Sequence, residues 1–137
     1  MNEIHLHFHG PYKFSNIAQS EHSASEGIYL WVIRDIEHDR NYVHYVGETT
    51  NFGRRHREHL SQILGLDYYI IDSQKAQQGI HEVLWRGMWR DKTPEAMART
   101  IEEYDKLKDR VVSYVNYIDI YFAETIQEAN LRKHIEG

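Results

Sequence analysis

Gly27-Ile28-Tyr29-Leu30-Trp31-Val32-Ile33-Arg34 and Asn41-Tyr42-Val43-His44-Tyr45-Val46-Gly47 are two runs dominated by β-branched and aromatic residues. That composition suits strands that cover a packed surface. Between them lies Asp35-Ile36-Glu37-His38-Asp39-Arg40, polar enough to close a hairpin. Side chains alternate sides along a strand. Counting by twos, Tyr29 shares a face with Trp31 and Ile33, and Tyr45 shares one with Val43 and Gly47, so the two phenols are expected to meet on one sheet.

Past Gly47 the chain reads Glu48-Thr49-Thr50-Asn51-Phe52-Gly53-Arg54-Arg55-His56-Arg57-Glu58-His59-Leu60. Thr50 or Asn51 is a good N-cap, because its side-chain oxygen can accept from an orphan amide of the first turn. Phe52, His56, Leu60, Ile63 and Leu64 recur at helical spacing and predict a core-facing stripe. Arg55 and His59 stand four apart, on one flank of that helix, where they can point back at the hairpin tyrosines.

The remaining segments are expected to decorate the same sheet. Glu3 to Phe8 alternates polar with apolar residues and predicts a short strand ended by Gly10-Pro11. His5, His7 and His9 then project to one face, but side chains two apart on a strand are several ångströms apart, so a solvated edge is expected there rather than a metal site. Ser15 to Ser25 reads as a loop, and Leu66 to Ile71 and Ile80 to Trp85 as short strands. Thr93 as cap and Pro94 at the first position open a helix. Met97, Ile101, Tyr104, Leu107, Val111 and Tyr114 carry it for about 20 residues. Asn116 to Ala123 alternates again and predicts a third, central strand, while Thr125-Ile126-Gln127-Glu128 has the capping-box form that starts a last helix. The expected fold class is therefore α+β, a small central antiparallel sheet of about three strands flanked by helices.

At 137 residues the chain is expected to be a single domain with its own core. It has no cysteine, no apolar run long enough to cross a membrane and no signal pattern in Met1 to Phe8, so a cytoplasmic protein without a membrane partner is the expectation. The formal charge is −5. A polyanion would have to be held by local basic patches. Arg54, Arg55 and Arg57 form one. Arg86, Arg90 and Lys92, interleaved with Trp85 and Trp89, form another that could stack bases while touching phosphates, and low affinity with steep salt dependence would follow; for this patch, tryptophans in the core and arginines on a solvated face are the expectation.

Taken together, Gly27-Ile28-Tyr29, Tyr45-Val46-Gly47, Arg55 and His59 resemble the GIY-YIG nuclease superfamily, with valine in place of isoleucine in the second triplet and a longer hairpin loop. The resemblance implies a divalent-metal-dependent endonuclease acting on DNA, with Mg2+ or Mn2+ held by one glutamate on a helix after the third strand. Glu102 and Glu103 precede that strand and Glu128 belongs to the capping box. Glu136, in Arg132-Lys133-His134-Ile135-Glu136, matches the Arg-x-x-Ile-Glu run of relatives and is the expected metal ligand. The resemblance further implies Tyr29 as general base, its phenol made more acidic by the ion and nearby cations, Tyr45 orienting water or phosphate, Arg55 stabilising the phosphoryl charge and His59 holding or relaying the proton. Gly47, Arg54 and Arg57 would lie against the nucleic acid. Relatives continue this helix and carry a supporting asparagine beyond it, so either a trimmed end or an incomplete site is expected. Two other classes stand beside this one: a catalytically inactive nucleic-acid-binding module of the same fold, and an interaction or small-ligand domain whose pocket is lined by Trp85, Trp89 and the aromatic strands.

Overall fold

A computed structural model of the chain describes residues 5–87 and 93–125. Its centre is the hairpin that the sequence announces. Strand β2 (Gly27–Asp35) and strand β3 (Arg40–Thr49) pair antiparallel along their whole length, from Gly27 opposite Thr49 to Asp35 opposite Arg40. Strand β6 (Asp119–Glu124) takes the other edge of β2, and strand β1 (His9–Tyr12) pairs with β6, which gives an antiparallel sheet in the order β1-β6-β2-β3. Helix α1 (Phe52–Leu64) follows the hairpin. A small ribbon of β4 (Ile70–Ile71) and β5 (Val83–Trp85) brackets the short helix α2 (Ser73–Ala76). Helix α3 (Pro94–Tyr117) then leads back into β6. The architecture is α+β, with a four-stranded sheet. No helix among the described residues is long and apolar enough to cross a membrane.

Several boundaries differ from those expected. The first strand begins at His9, and Gly10-Pro11 lies inside it. Proline donates no ladder hydrogen bond, which an edge strand tolerates. Gly10, at φ +139, sits so close to β6 that a Cβ there would lie 2.7 Å from the Ile120 carbonyl oxygen. Helix α3 runs 24 residues and holds Asn116 and Tyr117, so the third strand starts only at Asp119. The short strands expected at Leu66 to Ile71 and Ile80 to Trp85 shrink to Ile70–Ile71 and Val83–Trp85.

One irregularity shapes the molecule. Trp31 pairs with Tyr45, yet Val32 pairs with Val43, so His44 is an extra residue on β3. Such a bulge re-aims the side chains on either side of it. Tyr45 keeps the face of Gly47, as expected, but Val43 turns to the opposite face and is 51% exposed.

The core fills the face that carries Tyr29, Trp31 and Ile33. Ile120 and Phe122 of β6 join it, as do Phe52 and Ile63 of α1 and Leu107, Val111 and Tyr114 of α3. Phe52 stacks on Phe122 at a centroid distance of 4.3 Å. Trp85 belongs to this core and donates its Nε1–H to the Leu66 carbonyl at 2.8 Å, whereas Trp89, Arg90 and Lys92 lie outside the described residues. The hairpin loop is held by buried Asp35, which accepts from the His38 backbone N–H (3.1 Å), His38 Nδ1 (2.8 Å) and Arg40 Nε (2.9 Å). Burial pushes this carboxyl up, but the hydrogen bonds outweigh it and hold it below the usual range.

Phe122→Ala removes one member of the aromatic stack from a fully buried position. Its expected cost is about 3–5 kcal/mol, read as a lower urea midpoint with an unchanged m-value.

Candidate active site

The two triplets form one packing unit. Tyr29 and Gly47 are directly paired across β2 and β3, and the phenol ring of Tyr29 lies on the Gly47 backbone. A Cβ at residue 47 would stand 2.3 Å from both Cζ and Oη of Tyr29. The glycine of the second triplet therefore makes room for the tyrosine of the first. Tyr45, two pairs further along, sets its ring 6.0 Å from that of Tyr29 and 4.9 Å from that of Trp31.

Helix α1 brings the other half. Asn51 caps it by accepting from Arg54 N–H at 2.9 Å, and Thr49 braces the turn through its hydroxyl with Asn51. The carbonyls of Ser25 and Ser23 take the next amides, those of Phe52 and Gly53. Thus anchored, the helix directs His56 and His59 into the sheet and Arg55 along its rim. His59 Nε2 lies 2.7 Å from the Tyr29 hydroxyl, and His59 Nδ1 lies 3.1 Å from the hydroxyl of Tyr68. Both partners can donate or accept, so the two neutral tautomers of His59 are each satisfied. His56 has no such freedom. Trp31 Nε1–H donates to its Nε2 at 3.0 Å, which leaves Nδ1–H to donate to the Phe52 carbonyl at 3.0 Å. That arrangement exists only for the neutral ring.

Electrostatics agree with this geometry. Burial pulls His59 down to about 3, helped by Arg55 and His56, and pulls His56 down to about 4 against the opposing Phe52 carbonyl. Burial, together with the neighbouring Tyr45, pushes the Tyr29 phenol well above its ordinary value, and the Arg55 guanidinium beside its hydroxyl offsets this only in part. The protein's own groups thus make Tyr29 less acidic, and the expected acidification would have to come from the ion. Arg55 is shared between Tyr29 and Glu58, whose carboxylate it meets at 3.0 Å, and both partners favour its charged form.

Of the residues singled out by sequence, Tyr29, Tyr45, Gly47, Arg55 and His59 come together. Arg54 lies next to them, lining a shallow depression with Glu48, Thr50 and Arg55. Arg57 points elsewhere, into a groove with Phe14, Ile17 and Leu60, because two residues along a helix turn the side chain to the far flank. Glu136 and Glu128 lie outside the described residues. Sequence reasoning missed Tyr68, which closes the hydrogen-bond chain, and His44, Gln62 and Tyr69, which line the adjoining cleft together with Arg86 of the second basic patch. Tyr68 and Tyr69 fall in the stretch read only as a short strand, and His44 carried no signal.

Mg2+ keeps several waters and takes one or two carboxylates along with substrate phosphates. Among the described residues no group of three or more His, Asp or Glu side chains is arranged to hold a metal ion. Phenols and a neutral imidazole, the donors of this cluster, are poor partners for so hard a cation. No family model matches the chain, and no curated protein or solved structure is significantly similar to it.

Two consequences can be measured. His56 and His59 have folded pKa values below the unfolded value of about 6.5, so the unfolded chain binds more protons as pH falls. Their contribution to stability is complete above that value and is lost below it, roughly 2 kcal/mol each by pH 5. The Tm is expected to drop steeply between pH 7 and pH 5, in a window where most carboxylates stay ionised; a level Tm across it would contradict the neutral burial of these rings. Gly47→Ala should displace the Tyr29 ring and cost about 1–3 kcal/mol, measurable by urea unfolding.

Proposed function

We propose that this protein is a divalent-metal-dependent endonuclease of the GIY-YIG type, hydrolysing phosphodiester bonds in DNA. The observation that carries this reading is the convergence of the Tyr29 hydroxyl, the Tyr45 ring, the Arg55 guanidinium and the His59 imidazole from two strands and one helix. Each has a task in the chemistry. Arg55 stays protonated and matches phosphate oxygens with a planar fork, so a phosphate can take the place of Glu58 on it. Tyr45, 40% exposed, can orient the phosphate or the attacking water.

Tyr29 is neutral at physiological pH and cannot act as a standing phenolate. It can work as a relay. As its Oη takes a proton from the attacking water, its own proton passes to His59 Nε2. The Nδ1 proton of His59 moves to Tyr68, and Tyr68 gives up its hydroxyl proton to solvent. His59 ends as the other neutral tautomer, so no imidazolium has to persist beside Arg55. As the water oxygen bonds to phosphorus, the bond from phosphorus to the 3′ oxygen breaks and that oxygen takes a proton from solvent; a Mg2+ or Mn2+ held by Glu136 would neutralise charge on the phosphate and the leaving oxygen and acidify the water.

A second reading, a catalytically inactive nucleic-acid-binding module, is favoured by one observation. Tyr29 is only 1% exposed, which gives its hydroxyl little direct access to a bound phosphate.

Supercoiled plasmid incubated with Mg2+, Mn2+ or EDTA separates the two. Nicking is expected with either metal and not with EDTA. Tyr29→Phe and Tyr68→Phe break the relay at different points, and each should slow nicking about 100-fold or more. Glu136→Ala should abolish nicking with Tm unchanged. Full-rate nicking by Tyr29→Phe or Glu136→Ala would falsify the assignment, and plasmid binding with no nicking under any condition selects the inactive module.

A further inference from the structure

The tyrosine cluster opens on a cleft of about 450 Å³, lined in part by Tyr45, Arg55, His59 and Tyr68, that extends past them to residues with no task in the phosphodiester chemistry. Trp31 forms its floor. His44 and Tyr45 make one wall, both turned inward because the bulge on β3 places consecutive side chains on the cleft side. Tyr68 and Tyr69 stand opposite, and Gln62 reaches in from α1. Arg55 and Arg86 supply the cations of the lining. The volume is that of a small-molecule pocket, about 300–1,000 Å³, and most of the lining is ring surface.

Three observations narrow the occupant. The rings are uncharged: His44 is pulled down to about 4 by burial and by His81, and it hydrogen-bonds the Tyr114 hydroxyl at 2.9 Å. Tyr69 is 44% exposed, an aromatic face turned to the opening rather than packed away, with His44 edge-on to it at 6.0 Å. The Gln62 side-chain oxygen is buried without a hydrogen-bond partner among the described residues, although such acceptors are nearly always satisfied. A pocket of this kind takes a flat, weakly polar ring that carries a hydrogen-bond donor, and Arg55 at its margin takes a phosphate attached to that ring.

On the reading of the site as one that handles phosphodiesters, we propose that this cleft binds an unpaired nucleobase next to the scissile phosphate. The substrate class is single-stranded or locally unpaired nucleic acid. A base within a duplex is stacked on both sides and cannot enter; a base free to swing out can stack on the exposed face of Tyr69. The charge of the chain points the same way. With a net charge of −5 and two arginines at the cleft, affinity has to come from stacking more than from phosphate neutralisation. Two phosphate contacts on a single strand imply that binding weakens only about sevenfold between 50 and 200 mM salt.

The test is fluorescence anisotropy in EDTA, where no metal-dependent cutting intervenes, with three labelled probes of equal length: an oligothymidylate, its duplex with oligoadenylate, and an abasic single strand. The oligothymidylate is expected to bind about tenfold more tightly than the other two. Tyr69→Ala should remove that preference, Tyr69→Phe should keep it, and Arg55→Ala should weaken all three probes alike. Equal binding of the abasic strand, an unchanged preference in Tyr69→Ala, or no binding of any probe overturns the base pocket. Plasmid nicking judges the nuclease reading separately. Metal-dependent nicking without base preference sinks only the pocket, and base-dependent binding without nicking sinks only the nuclease.

Discussion

The Tyr29 phenol, flat against the Gly47 backbone and hydrogen-bonded to His59 at 2.7 Å, ties the central hairpin to the helix that follows it. The contact is demanding at both ends. The ring needs a residue without a Cβ across the ladder, and the hydroxyl needs a buried partner, since leaving it unsatisfied costs about 1–3 kcal/mol. His59 meets that need only because α1 starts at a fixed place, set by the Asn51 cap and the carbonyls of Ser23 and Ser25. Register of the hairpin, phase of the helix and position of Arg55 are thereby one constraint. A shift of one residue in any of them would turn Tyr29 to the other face or carry His59 out of reach.

The bulge at His44 is the second device, and it separates two jobs that a regular strand would merge. Without it, Val43 and Tyr45 would share the cleft face and His44 would lie behind the sheet. With it, His44 and Tyr45 both line the cleft, and His44 fastens to Tyr114 on α3. The edge strand is thereby pinned to the long helix by a polar contact, at the place where segment 66–87 closes over the rings. The cleft is thus built from a local irregularity plus segments far apart in sequence, whereas the tyrosine cluster is built from regular elements close together in sequence.

That difference explains what could be read from the chain. Period-two alternation put Tyr29, Trp31 and Ile33 on one face, and the 3.6-residue period put Arg55 and His59 on one flank; both signals are local and the structure keeps both. The same rules misplaced Val43, because hydrophobic alternation carries no mark of a single inserted residue. They placed the first strand too early, since alternation among His5, His7 and His9 reports no packing partner, and the actual strand is fixed by its neighbour β6. They ended α3 too soon, because Asn116 and Tyr117 fit a helix end and a strand start equally well and tertiary packing decided between them. Tyr68, Tyr69 and Gln62 were out of reach for another reason: nothing in a single sequence says which loop returns over a hairpin.

The charge balance of the site follows from how its histidines are held. His44, His56 and His59 all lie within or against the aromatic cluster, and all are pulled to about 4 or below by burial. Charged, they would crowd Arg55 with like charge and break the donor and acceptor order by which His56 orients Trp31. Neutral, they leave Arg55 as the cation next to the Tyr29 hydroxyl, where its paired carboxylate is Glu58 and its other neighbours in the cleft are rings and neutral donors. On the proposed reading, attraction for a phosphate rests on Arg55 and Arg86, and the remaining affinity is left to faces that carry no charge.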